Sequence, residues 1–222
     1  DNIYLAKQMG FSDRTISRLR SMTEEEIRSL RLSYGIKPVY KMVDTCAGEF
    51  EAKTPYYYST YERSNDIIKN DEKDKAKKIV VLGSGPIRIG QGIEFDYTSV
   101  HSVYTLSKLG INSIIINNNP ETVSTDFDTS DMLFFEPLTH EDVLNVINEL
   151  NVDGVIVQFG GQTAIKLSQE LAKDGIRIYG TSADGIDIAE DRERFDKILN
   201  SLNIKRPPGF TCFNTEEAID IA

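Results

Sequence analysis

Tryptophan is absent from the 222 residues, and cysteine and histidine occur only twice each. Cys46 and Cys212 are far apart and have neither a Cys-x-x-Cys pair nor a histidine-rich companion, so we expect no disulfide framework and no zinc site. We expect both cysteines to be small buried residues rather than nucleophiles. This sparse cysteine usage favours a reducing, cytoplasmic location.

Long apolar runs and positive charge are also scarce. The longest aliphatic run, residues 79–82, is far shorter than the ~20 residues that a membrane-spanning helix needs. Residues 1–10 lack a basic stretch followed by an apolar core, so no secretory signal is expected. Lys and Arg number 25 against 35 Asp and Glu, a formal charge of −10, which argues against nucleic acid as a partner.

The first third of the chain has a different pattern from the rest. Residues 1–35 have the spacing of three short amphipathic helices, and Thr23 with Glu26 has the form of a capping box. Residues 37–61 are aromatic and extended in pattern. Residues 66–78 alternate in charge sign, which predicts a solvated linker.

From residue 78 onward, buried strands alternate with helical patterns. Continuous apolar strands joined by helices predict a mostly parallel sheet covered on both faces, a doubly wound α/β domain. Another helix is predicted near residues 195–202, and the sequence ends within a further one, 215–222, so we expect the chain to stop within a domain. The strand candidates are residues 79–82, 113–116, 132–135, 154–158 and 177–179.

The glycine loop, residues 83–92, follows the first of these strands and carries four glycines. Such a loop permits tight turns before a helix, either to bind an anion or to pack strand against helix. A dinucleotide fingerprint is incomplete, because the third glycine is displaced to Gly90 and no ribose-binding acid follows the next strand. A phosphate-binding P-loop fails as well, because Gln91 and Gly92 replace its lysine and hydroxyl.

The acidic loop, residues 117–131, follows the next strand and contains Asp126, Asp128 and Asp131. It lacks the glycine and the bidentate glutamate of a calcium loop, so these aspartates are interpreted as turn and cap residues. Because function in such sheets collects at the carboxyl ends of the strands, both loops are candidates for the functional site.

The motifs in and around these loops resemble the large subunit of carbamoyl phosphate synthase. The resemblance rests on Gly-Pro-Ile-Arg-Ile-Gly-Gln-Gly at 85–92 within 80–97, and on Asn-Pro-Glu-Thr-Val-Ser-Thr-Asp at 119–126. It also includes the Gly-Gly-Gln turn at 160–162 and Ala-Glu-Asp-Arg-Glu-Arg-Phe at 189–195. Residues 35–50 are similar to the junction that precedes the second half of that subunit, so the likeness covers nearly the whole chain.

The resemblance implies a domain organisation. Residues 1–75 would be the end of a helical oligomerisation domain with its linker. Residues 76–190 would be a Rossmann-like pre-ATP-grasp domain, and residues 191–222 the start of an ATP-grasp domain. In the family, the first half of the subunit makes carbamate from bicarbonate, ammonia and ATP, and the second half phosphorylates carbamate with another ATP. The residues of these motifs match those of the second half of the subunit.

The resemblance also implies cofactors and partners. ATP with Mg²⁺ or Mn²⁺ would serve the full-length protein, and this stretch alone would bind neither tightly and would be inactive. The implied partners are a glutamine amidotransferase, as small subunit or fused domain, the remaining domains of the large subunit and further copies in a homo-oligomer. The pathways implied are arginine and pyrimidine synthesis.

Three residues take functional roles from the resemblance. Glu94 and Glu121 match acids that border the internal passage for carbamate, although Glu94 could instead cap its helix and Glu121 could bond turn amides. Arg192 matches a basic residue near nucleotide phosphate, with surface ion pairing as the alternative. No catalytic residue and no metal ligand is expected in this stretch.

Two other functions stay open on the sequence. One is an NAD-dependent Rossmann oxidoreductase that uses the glycine loop. The other is a non-catalytic assembly module in which the N-terminal helices mediate oligomerisation.

Overall fold

The structure, a computed structural model, describes residues 2–67, 76–90, 92–207, 209 and 211–221. The chain divides into two compact units, Asp1–Gly180 and Thr181–Ala222. The domain limits predicted at 75/76 and 190/191 stay predictions. Most of the predicted linker at 66–78 lies outside the described residues.

Three helices begin the first unit: α1 (Asn2–Gln8), α2 (Asp13–Arg20) and α3 (Glu24–Ser33). The expected capping box is confirmed, since Thr23 accepts from the Glu26 N–H while the Glu26 carboxylate accepts from the Thr23 N–H. These bonds satisfy amides that a helix start would otherwise leave unpaired. Ile16 and Ile27 turn inward from α2 and α3.

Within the described residues, the sheet has six strands in the order β1-β2-β5-β4-β3-β6. All neighbours pair in parallel except β1 and β2, so the predicted doubly wound α/β class with a mostly parallel sheet is confirmed. Ile178, in the last predicted strand, makes one parallel bridge to Val155. The strands are β1 (Val39–Met42), β2 (Tyr56–Thr60), β3 (Lys78–Leu82), β4 (Asn112–Ile116), β5 (Met132–Phe134) and β6 (Gly154–Ile156).

Helices cover the sheet and complete the core. Side chains on alternate positions of a strand point to opposite faces, and Val81, Ile115 and Leu133 pack with Val103 and Leu106 of α4 on one face. The helical pattern at residues 164–171 forms two short helices rather than one. The helices are α4 (Glu94–Lys108), α5 (His140–Leu150), α6 (Gly161–Ile165) and α7 (Ser168–Lys173).

The aromatic segment at residues 37–61 contributes strands that the sequence analysis did not predict. β2 pairs in parallel with β5, and the ring of Tyr57 stacks on Phe134 at 5.4 Å between centroids. Tyr40 of β1 meets the same Phe134 edge to face at 5.2 Å. Aromatic contacts of this kind supply the burial that the aliphatic strands obtain from valine and isoleucine. The segment at residues 37–61 therefore contributes the strands β1 and β2 at one edge of the sheet.

A buried ion cluster joins α1, α2 and α3 to α5. Its members are Lys7, Asp13, Arg31 and Glu141, all less than 7% exposed. Nε of Arg31 lies 2.7 Å from Oδ2 of Asp13, and Lys7 pairs with Asp13 and with Glu141. The Glu141 carboxylate also accepts from the backbone N–H of Asp13 at 2.6 Å. Two cations and two carboxylates thus balance in a place closed to solvent.

The second unit is helical where it is regular, with α8 (Ala183–Glu190), α9 (Arg192–Ser201) and α10 (Thr215–Ile221). Asp191 lies between α8 and α9, and its carboxylate caps α9 by accepting from the Arg194 N–H at 2.8 Å. None of the helices formed by the described residues has both the length and the apolar content to cross a membrane.

Candidate functional site

The glycine loop and the acidic loop leave the same edge of the sheet. β3 and β4 are parallel neighbours, with Leu82 opposite Ile116, so both loops begin at the carboxyl ends of adjacent strands. We call this region the carboxyl edge: residues 83–94 and 117–126. Sheets of this class bind ligands at such an edge because loop residues from several strands converge there.

The glycine loop fits closely against its neighbours. A Cβ atom at Gly83 would lie 2.5 Å from Cγ of Asn117, and one at Gly160 would lie 2.6 Å from the carbonyl oxygen of Gly83. No real side chain tolerates such distances, so glycine is required at both positions. Arg88 donates to Oγ1 of Thr163 at 3.1 Å, which ties the loop to α6.

Asn117 is the central polar group of the carboxyl edge. It is fully buried, and its Oδ1 accepts from the backbone N–H of Gly85 at 3.0 Å and of Asn119 at 3.3 Å. Its Nδ2 donates to Oγ of Ser124 at 3.3 Å. One side chain therefore joins the glycine loop to two points of the acidic loop.

A second buried contact joins the acidic loop to α4. The carboxylate of Asp96, which is 7% exposed, accepts from the backbone N–H of Ser124 at 3.1 Å and 3.3 Å. Ser124 lies in a 3₁₀ turn, Val123–Thr125. Sequence reasoning missed the roles of Asn117, Asp96 and Ser124. The sequence signal that could have identified Asn117 is its position as a polar residue directly after a buried strand.

Glu94 and Glu121, the two acids predicted to border the passage, both lie at the carboxyl edge and are exposed. Glu94 begins α4, and its Oε1 accepts at 3.1 Å from the backbone N–H of Gly92, which precedes the N-cap residue Ile93, so this bond does not cap the helix. The backbone N–H of Glu121 donates to Oδ1 of Asn119 at 3.1 Å. The structure thus brings the two acids to one edge, and their role at a passage stays a prediction.

The predicted phosphate-binding residue, Arg192, is exposed at the first position of α9, in the second unit. Arg194, two residues on, forms ion pairs with Asp184, at 2.7 Å, and with Asp187. These bonds hold α8 and α9 together. The phosphate role of Arg192 stays a prediction.

Asp131, interpreted as a turn or cap residue, instead clamps a strand. Its Oδ2 accepts from the backbone N–H and from the hydroxyl of Ser113 in β4, at 2.9 Å and 3.0 Å. The prediction that the cysteines are buried was wrong: Cys212 is exposed in an irregular segment before α10, and Cys46 is partly exposed in a turn. Neither segment packs in the core, because neither belongs to the sheet or its covering helices.

A cavity of about 550 Å³ lies beside the end of β5, between α1, β2 and α5. Glu136, 3% exposed, lines it and accepts from the backbone N–H and hydroxyl of Ser59. Burial raises the pKa of Glu136 to about 7, and burial also raises the pKa of Asp142, another lining residue, to about 6. Desolvation penalises the charged form, so Glu136 exchanges its proton near neutral pH. Sequence reasoning gave no signal for this group.

The described part of the chain contains no group of three or more His, Cys, Asp or Glu side chains that could hold a metal ion. The side chains present therefore do not fit the Mg²⁺ or Mn²⁺ that would accompany ATP.

Taken together, the molecule contains a doubly wound α/β domain whose carboxyl edge is built from a glycine loop and an acidic loop. Residues 75–188, about half of the chain, match the family described as "Carbamoyl phosphate synthase preATP-grasp domain". The chain belongs to that family, and the resemblance read from the motifs is confirmed.

Several solved structures are also similar to the chain. A biotin carboxylase domain of a single-chain bacterial carboxylase matches with 17% identity and a TM-score of 0.47, over 65% of this chain and 33% of its own. The biotin carboxylase domain of a thermophilic 2-oxoglutarate carboxylase matches with 16% identity and a TM-score of 0.45, over 66% and 33%. Phosphoribosylglycinamide synthetase from Anaerococcus prevotii matches with 17% identity and a TM-score of 0.41, over 66% and 34%. The chain spans about a third of the length of each of these proteins.

Proposed function

We propose that this chain is part of the large subunit of a glutamine-hydrolysing carbamoyl phosphate synthase, from the half that phosphorylates carbamate. The longer protein is then an ATP-dependent ligase that converts bicarbonate, ammonia from glutamine and two ATP to carbamoyl phosphate, for arginine and pyrimidine synthesis. The observation that carries the proposal is the family match over residues 75–188. The motifs at 85–92 and 119–126, whose residues resemble those of the second half of the subunit, support it.

The role of this chain in that reaction is to frame a passage rather than to react. Carbamate is unstable in water, so it has to move between two active sites without reaching solvent. A polar lining supplies hydrogen bonds in place of hydration while water is excluded. Glu94 and Glu121 project from adjacent loops at one edge, which suits them to line such a passage when other domains cover it.

ATP and its Mg²⁺ or Mn²⁺ belong, in this proposal, to an ATP-grasp domain of which residues 191–222 form only the start. Phosphoryl transfer needs a bound metal and positioned phosphates, and the described residues offer no metal site. Arg192 would contribute a guanidinium toward nucleotide phosphate, since it is exposed at the first position of α9. The 222-residue chain alone is then inactive.

The partners in this proposal are a glutamine amidotransferase, as a small subunit or a fused domain, the remaining domains of the large subunit and further copies in a homo-oligomer. The location is cytoplasmic. Neither nucleic acid nor a membrane is expected as a partner.

The test uses the longer protein with bicarbonate, ammonia and ATP. Carbamoyl phosphate formed and ATP hydrolysed are measured together. We expect Glu94→Gln and Glu121→Gln to lower the product formed per ATP hydrolysed, because carbamate escapes before it is phosphorylated. Glu25→Gln, at an exposed position of α3, is the matched control and should leave this ratio unchanged. Absence of any carbamoyl phosphate would contradict the proposed reaction, and unchanged ratios in both acid variants would contradict the passage.

Two binding measurements on the 222-residue chain separate this proposal from its rivals. Isothermal titration with ATP and Mg²⁺ should give no tight, magnesium-dependent binding, and such binding would refute the domain assignment. Fluorescence titration with NADH should give no saturable signal. A saturable signal would favour the oxidoreductase.

A further inference from the structure

The carboxyl edge contains a buried polar side chain, Asn117, whose hydrogen bonds go to the glycine loop and the acidic loop. Asn117 follows β4 directly, and its backbone N–H donates to the carbonyl oxygen of Phe134, so the sheet itself fixes its position. The Gly83 N–H donates to the carbonyl oxygen of Ile116 at 2.9 Å, which places the start of the glycine loop beside it. Asn117 thus occupies the point where the exits of three strands meet.

The side chain uses both ends of its amide. Oδ1 faces two N–H donors, those of Gly85 and Asn119, and Nδ2 faces the hydroxyl oxygen of Ser124. An amide offers an acceptor with two lone pairs and a donor in one planar group. Aspartate would keep the acceptor but lose the donor and add a buried charge, whereas alanine would leave the buried Gly85 N–H without a partner.

The glycine loop is shaped around this side chain. Gly83 has no room for a Cβ because Cγ, Nδ2 and Cβ of Asn117 lie within 2.8 Å of that position. Gly85 has a φ of +68°, a conformation that glycine adopts readily, and this conformation turns its N–H to Oδ1 of Asn117. The contacts with Asn117 therefore explain why glycine occupies positions 83 and 85.

Hydrogen bonds connect the Asn117 side chain to the chain segments that carry Glu94 and Glu121. On one side, the backbone N–H of Asn119 donates to Oδ1 of Asn117, and Oδ1 of Asn119 in turn accepts from the Glu121 N–H. On the other side, Ser124 accepts from Asn117 and is held by Asp96, two residues after Glu94 on α4. Each acid is thus two or three contacts from the Asn117 amide.

We propose that Asn117 is the positioning residue of the carboxyl edge: it holds the glycine loop and the acidic loop in one register, so that Glu94 and Glu121 face the same passage. This inference rests on the proposed passage. Asn117 itself touches no reacting atom.

Hydrogen exchange on the 222-residue chain tests the positioning directly. In Asn117→Ala the amides of Gly85 and Asn119 should exchange about tenfold faster, because each loses its acceptor. Asn117→Asp should keep the Gly85 amide protected, since it retains the acceptor oxygen. Asn148→Ala, at an exposed position of α5, is the matched control. Unchanged exchange at Gly85 in Asn117→Ala would overturn the inference.

The functional test is the product formed per ATP hydrolysed in the longer protein. We expect Asn117→Ala and Asn117→Asp to lower this ratio while bicarbonate-dependent ATP hydrolysis continues, a change that a general loss of folded protein would not produce. If the Glu94 and Glu121 variants lower the ratio and Asn117→Ala does not, the inference fails and the proposed function stands.

The remaining outcomes are also decisive. If neither acid variant nor any Asn117 variant changes the ratio, the passage fails and the inference fails with it. If Asn117→Ala does not fold, Ser124→Ala and Asn117→Asp replace it: Ser124→Ala removes the bond between Nδ2 and the Ser124 hydroxyl, and Asn117→Asp removes the same bond and adds a buried charge. A lowered ratio in both supports the inference, and an unchanged ratio in either overturns it.

Discussion

Replacing Arg31 with methionine should destabilise the first unit more than any single surface change. Arg31 is fully buried, and its guanidinium pairs with Asp13 at 2.7 Å. It also donates to the carbonyl oxygen of Ile36 at 3.1 Å and to Oδ1 of Asn145 at 3.2 Å. Methionine fills much of the same space but removes the charge and every one of these donors.

The magnitude follows from the charge balance of the cluster. Arg31 and Lys7 face Asp13 and Glu141, so removing one cation leaves two buried carboxylates with a single ammonium group. Breaking a buried ion pair by removing one partner costs about 3–5 kcal/mol, because the remaining charge is uncompensated. The total stability of a domain is about 5–15 kcal/mol. We therefore expect Arg31→Met to remove a large part of the stability of the first unit.

The assay is urea unfolding followed by tyrosine fluorescence. All ten tyrosines lie in the first unit and the chain has no tryptophan, so the signal reports that unit alone. The matched control is Lys37→Met, which removes an exposed ammonium group from its 3.4 Å pair with Glu149 and should cost about 0–1 kcal/mol. Adding Asp13→Asn to Arg31→Met restores the charge balance and should recover part of the loss. A loss for Arg31→Met no larger than that for Lys37→Met would refute the reasoning.

Two further predictions concern the carboxyl ends of the strands. Burial raises the pKa of Glu136 to about 7 in the folded chain, above the ~4.3 of an exposed glutamate, so the folded state binds more protons. Stability should therefore fall as pH rises from 5 to 8, by roughly 3 kcal/mol in the limit. Glu136→Gln should reduce this slope in urea unfolding and leave the smaller part that comes from Asp142, whose pKa burial raises to about 6; an equal slope in the variant would contradict the prediction. Gly83→Ala places a Cβ 2.5 Å from Cγ of Asn117 and should cost about 1–3 kcal/mol; an unchanged unfolding midpoint would contradict the close fit.

The aliphatic strands could be predicted from the sequence because each of them is a short, continuous run of apolar residues, which indicates a buried strand. Ile79 to Leu82 and Ile114 to Ile116 are continuous apolar runs, and the structure places them at the centre of the sheet, where both faces are covered. The capping box of α3 is equally local. Such signals involve residues within four positions of one another, so a periodicity argument reaches them.

The edge strands β1 and β2 and the polar network could not be found in this way. β2 is a run of tyrosines whose partner, β5, lies about seventy residues further along the chain. Asn117 shows the same difficulty, because its role depends on a Gly85 amide 32 positions away. Pairings over such distances depend on tertiary packing, which overrides local propensity. The motif made Glu94 and Glu121 conspicuous, whereas the residue that holds their loops carried only the weak signal of a polar side chain after a strand.

The polar side chains of the carboxyl edge are of two kinds: buried ones whose hydrogen bonds stabilise the fold, and exposed ones that the fold does not need. Asn117 and Asp96 are buried, and the bonds described for them go to backbone or side-chain groups of neighbouring loops, so the folded chain depends on them directly. Glu121 is exposed, and among the contacts of the described residues only its backbone N–H is bonded. A carboxylate that the fold leaves to solvent costs nothing to keep and adds nothing to the stability of this chain. The proposed passage would use this arrangement, because the buried bonds hold the loop in place while the Glu121 carboxylate stays exposed on it.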